Sequence, residues 1–133
     1  MREYAHQQTA MLLRRLAFQV NRSARSCTAD SIHDLRVSIR RFNRCLRAFS
    51  QFYPARARKK IRQQLRELMN AAANVRDRDI SLTLLEEAGI SRRAAIAMRL
   101  EGERRKATQE LLIEINRWRN RSFSGKWREQ LEL

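Results

Sequence analysis

The sequence predicts an all-α protein, an antiparallel bundle of about four long helices with a short helix at the C-terminal end. Two observations carry this. Three glycines and one proline in 133 residues leave few turn or breaker signals, which favours a few long helices over many short strands. Apolar residues also recur at steps of three and four, the period of one helical face. The length suits one domain, 1–133, and 43% hydrophobic residues suffice to build its core.

The first helix is expected from about Glu3 to Arg22, fading into the polar stretch Asn21–Ala29. The second begins after Asp30 or Ser31, either of which can cap it, and stops at Pro54. The third runs from about Ala57 to Glu87 and is ended by Gly89. Ser91 can cap the fourth, which continues to about Asn120 despite Gly102. Ser122–Gly125 then reads as a break before the tail Lys126–Leu133. Short connections between long helices imply antiparallel neighbours.

Charge narrows the function. There are 29 Lys+Arg against 14 Asp+Glu, a net +15, and only Lys59, Lys60, Lys106 and Lys126 are lysines. Arginine's planar fork matches phosphate oxygens in pairs, whereas lysine acts mainly as a hydrated point charge. Residues 31–70 carry eleven cations and only Asp34 and Glu67. Self-repulsion on this scale lowers stability, so a polyanionic partner is the default expectation. A generically basic surface is the plainer alternative.

No apolar run is long enough to cross a bilayer, and the N-terminus lacks a signal-peptide core, so a cytoplasmic protein without membrane contact is expected. Cys27 and Cys45 have no metal-site spacing, and one possible pair defines no disulfide framework.

The second helix is the most patterned. Ile32, Leu35, Ile39, Phe42, Leu46, Phe49 and Tyr53 form an apolar stripe. His33, Arg36, Arg40, Arg44 and Arg47 form a second stripe, about 120° round from the first and about 21 Å long at about 1.5 Å per residue. It is expected to flank the core. The third helix repeats the arrangement. Ile61, Leu65, Leu68, Ala72 and Val75 are apolar, with Lys59, Arg62, Arg66 and Arg76 offset in the same rotational sense. If the two helices close as an antiparallel hairpin at Pro54, both cationic stripes emerge on one side and make a single basic groove. Arginines at i,i+4 repel and cost helix stability, which argues against decoration.

His33 at the head of the stripe can donate to phosphate, or it can simply pair with a carboxylate such as Asp34. In Asn74–Ile80, Asp79 projects onto the apolar face and Asp77 lies near the cationic side. A carboxylate entering a core needs a cationic partner, so both are expected to hold arginines of neighbouring helices in place. A metal site is the weaker reading, since carboxylates at i,i+2 diverge round a helix. No glycine-rich phosphate loop, nucleophile elbow or HExxH is present, so neither catalysis nor a cofactor is expected. Phe42, Phe49 and Phe52 read as core, while Trp118 and Trp127 can be core or interface.

HDLRVSIRRFNRCLRAF, followed by NVRDRDISLTLL, resembles the CHAD domain, the conserved-histidine α-helical domain. That family opens one helix with His-x-x-Arg-Val-x-x-Arg-Arg and carries Arg-Asp-x-Asp on a later one. The resemblance is strongest over Asp30–Leu85. It implies an all-α fold with a basic channel for inorganic polyphosphate and, in some members, association with polyphosphate granules. Others are fused to a triphosphate-tunnel catalytic domain. Carried over by position, His33, Arg36, Arg40 and Arg41 belong to the anion site, supported by Arg76, Asp77 and Asp79. A full-length member has two pseudo-symmetric halves, and no second motif is found here. The chain is therefore expected to be a fragment, or a half-length member that completes the channel as a homodimer. A nucleic-acid-binding module using the same basic surface is the competing reading, although no helix-turn-helix or aromatic stacking platform is evident.

Overall fold

Five α-helices make up most of the chain and no strand is present, in a computed structural model that describes residues 1–133. They are α1 (Arg2–Arg25), α2 (Ala29–Ala48), α3 (Ala55–Glu87), α4 (Ala95–Asn120) and α5 (Phe123–Gln130). α1 packs on α2, α2 on α3, α3 on α4, and α4 back on α1, closing a four-helix bundle. α5 turns off the end of α4 and packs against α1 and α4. No helix is long and apolar enough to cross a membrane.

The core follows the expected stripes. Ile32, Leu35, Ile39, Phe42 and Leu46 of α2 and Ile61, Leu65, Leu68, Ala72 and Val75 of α3 are all buried. α1 adds Leu13, Leu16 and Val20, and α4 adds Leu111 and Ile115. Trp118 and Trp127 are core residues. With Phe123 they form an edge-on aromatic cluster, and Trp127 also stacks on Phe42 at 5.7 Å. Trp127 Nε1 donates to Gln64, which ties α5 to α3.

Helix ends depart from expectation for local reasons. Thr28 caps α2, and Ser31 sits at the third helical position in a reciprocal capping box with it. α2 stops at Ala48; Phe49 and Tyr53 lie outside it, around a 3-10 turn at Ser50–Phe52. Pro54 forces the preceding Tyr53 into extended backbone (φ −126°, ψ 146°) and itself caps α3. Phe49 and Phe52 are therefore only half-buried. Gly89 (φ 76°) ends α3 as expected, with Ile90 N bonded to Leu85 O and Gly89 N to Glu86 O. Ser91 does not cap α4. Its Oγ accepts from Arg93 N inside the connecting turn, and α4 starts four residues later. The break near the C-terminus is confined to Arg121 and Ser122, the latter held at φ 49°, and α5 runs straight through Gly125.

Candidate functional site

On α2, His33, Arg40, Arg44 and Arg47 are exposed and Arg36 is half-buried, its Nε buried without a partner. Arg36 thus sits at the flank of the core, and the other four project from there into solvent. α1 grips α2 at Asp34, through Arg22, and at Cys45, through Thr9. α3 meets it on the side of Asn43. Between these two neighbours the arc that carries the arginines is left open, with Arg36 nearest α3.

On α3, Lys59 and Arg66 are exposed and Arg62 is half-buried. Lys59, Arg62 and Arg66, together with Arg58, line one open depression. Arg62 Nε donates to Asn43 Oδ1 at 3.3 Å. Asn43 lies at the edge of the α2 arginine arc, about 20° beyond Arg36, so this bond brings the two cationic stripes side by side. It also sets the register of the hairpin. Counting back from Asn43 and forward from Arg62, the first residue of α2, Ala29, falls opposite about residue 76 of α3. His33 and the half-buried Arg76 thus come to the same end of the hairpin. None of His33, Arg36, Arg40, Arg41, Arg44, Arg47, Lys59, Arg62, Arg66 and Arg76 is within ion-pair distance of a carboxylate. Their charge is uncompensated and projects outward.

Asp79 reaches across to α4 and pairs with Arg104, the neighbouring-helix contact its place on the apolar face calls for. Its hydrogen bond raises the Arg104 pKa above the ordinary guanidinium value. Its other oxygen is buried without a partner. Cys27 lies close enough to feel both charges, but burial is the main influence and pushes its thiol up. Asp77 behaves differently from Asp79: it is exposed and makes no ion pair. Two residues along a helix turn a side chain about 200°, which carries Asp77 away from α4. Asp34 is taken by Arg22 of α1, so His33 is left without a carboxylate partner.

The sequence model of the CHAD domain matches residues 8–132 of the 133. The chain belongs to the CHAD domain family. The two motifs that mark this CHAD domain, His33–Arg41 and Arg76–Asp79, lie on the facing helices α2 and α3, and the His33 end of the first is the end nearer the second. Comparison with curated proteins and with solved structures gave no match.

One motif residue of the CHAD domain is not brought to this face. Arg41 points into a groove between α2 and α1, where it lies with Arg14 and Arg15. Sequence reasoning missed Asn43 and Arg104. Asn43 had a signal, since it falls at the edge of the arc of the α2 arginines three residues after Arg40. Arg104 had none, because only the packing of α4 shows which of its many arginines meets Asp79.

Proposed function

We propose that this CHAD domain binds inorganic polyphosphate, without acting on it chemically, along the exposed cationic face shared by α2 and α3. The observation that carries the reading is the Arg62–Asn43 bond, which makes two separate stripes into one surface. Arginine forks and His33 would replace the counterions along an extended phosphate chain, so affinity depends on charge spacing and not on sequence. Phe42 of α2 is buried and cannot stack on bases, which favours phosphate on the α2–α3 face. On this reading the protein works in the cytoplasm, where polyphosphate granules supply the ligand.

The same reading has two copies completing the channel. The hairpin register leaves α3 beyond about residue 76, and the α4 residues paired with it, projecting past α2 as an arm. Ile80 (42% exposed), Leu84 (58%) and Met98 (62%) lie bare on that arm. Residues 77–103 carry six acids against four arginines, whereas the remainder carries twenty-five cations against eight acids. Two strongly basic chains can approach where neither is positive, so a second copy is the fitting occupant. Leu84→Glu should convert a dimer to a monomer in sedimentation velocity. A wild-type protein that is monomeric with and without polyphosphate removes this part of the proposal.

The binding claim is tested by calorimetric titration of polyphosphate into Arg36→Ala/Arg40→Ala/Arg62→Ala. Loss of titratable binding with an intact helical circular-dichroism spectrum is expected, and wild-type affinity would sink the groove. Competition separates the rival ligand. Nucleic acid that displaces polyphosphate at far lower phosphate equivalents would make this a nucleic-acid module. Phosphate release by the pure protein with Mg²⁺ or Mn²⁺ would make it an enzyme.

A further inference from the structure

We infer that the groove between α1 and α2, built around Arg14, Arg15 and Arg41, is a second polyanion site, and that one long phosphate chain crosses α2 to occupy both sides of it. This rests on the proposed function. Arg40 and Arg41 are adjacent in sequence, but about 100° of helix separates them. Arg40 belongs to the face shared with α3. Arg41 turns to the α1 side and lines an open groove of about 530 Å³ with Arg14 and Arg15.

Three features suit this groove to an anion. Arg14, Arg15 and Arg41 are all exposed and none has a carboxylate partner. The single acid in the groove, Asp34, is already bonded to Arg22. Met11, Phe18 and Val37 supply apolar surface between the guanidinium groups, which lowers the local dielectric beside a bound anion.

The two sites are also continuous. Arg44 lies on the helix between Arg40 and Arg41, about 40° from one and about 60° from the other, and is exposed. Neighbours at i+3 and i+4 are roughly 5–6 Å apart. The cations Arg40, Arg44 and Arg41 therefore step over the ridge of α2 without an acid between them. A chain of regularly spaced phosphates can follow that path, whereas a compact anion can fill only one side.

Arg14→Ala/Arg15→Ala tests the inference without touching α2 or α3. Titrated with long-chain polyphosphate over about 50–300 mM salt, it should bind roughly five- to tenfold more weakly, with a salt slope lower by roughly one. Its melting temperature should match the wild type, because both side chains are on the surface. Wild-type affinity and slope in the double variant overturn the second site. The parent reading fails separately, when the wild type does not bind polyphosphate or when Arg36→Ala/Arg40→Ala/Arg62→Ala binds as well as the wild type.

Discussion

Arg62 of α3 donates from Nε to Oδ1 of Asn43 on α2, and this bond lies between the two helices that carry the exposed cations. Nε is committed to Asn43, so the terminal nitrogens of the fork are the ones left to meet an anion. Asn43 is thus a positioning residue. Asn43→Ala should weaken polyphosphate binding by about two- to tenfold, the range set by one net hydrogen bond of about 0.5–1.5 kcal/mol. Calorimetry would show it. Unchanged affinity would mean that Arg62 is oriented by something else.

Asp79 is predicted to act on stability instead of affinity. Its partner Arg104 is 27% exposed and Asp79 16%, so removing the carboxylate leaves a largely desolvated cation. Asp79→Ala should cost about 2 kcal/mol in urea unfolding, below the fully buried range because water still reaches the pair. Arg104→Ala added to it should recover part of the loss. Additive losses in the double variant would show that the two residues do not work as a pair.

Phe42 links the cationic helix to the C-terminal element, stacking on Trp127 while lying fully buried among the core residues of α2 and α3. Phe42→Ala should destabilise the fold by about 3–5 kcal/mol. Tryptophan fluorescence should shift to the red as α5 loosens. A loss under about 1 kcal/mol would contradict the packing described here.

The α2 and α3 stripes could be read directly, because cations and apolar residues there follow the helical period over four turns or more. What could not be read was anything decided by a third helix. That His33, Arg40, Arg44 and Arg47 face solvent depends on α1 gripping Asp34 and Cys45, and a single-helix wheel has no place for α1. Thr28 was hidden behind Asp30 and Ser31, three good caps within four residues, and only the backbone turn at Thr28 selects among them. Arg41 shares its motif with Arg40 but not its face, a separation that consecutive residues on any helix must have. The pairing of Asp79 with a neighbouring helix was legible from its position, but its partner was not.

High pH should weaken the fold through two neutral groups. Burial raises the Cys45 thiol and the Tyr53 phenol above their ordinary values, against the opposing hydrogen bonds to Thr9. The unfolded chain ionises first, so their contribution is fully present below the ordinary thiol range. It is lost as pH rises through that range and past the raised folded values. From about pH 7 to about pH 11, the melting temperature of Cys45→Ala/Tyr53→Phe should fall less than that of the wild type. An identical fall in both would assign alkaline unfolding to other groups.

A crystal structure with a polyphosphate of defined length bears most directly on the central claim. Phosphate density is predicted along α2 and α3, within hydrogen-bond reach of Arg40 and the free nitrogens of Arg62. Density confined to other surfaces, with these arginines open to solvent, would contradict the account.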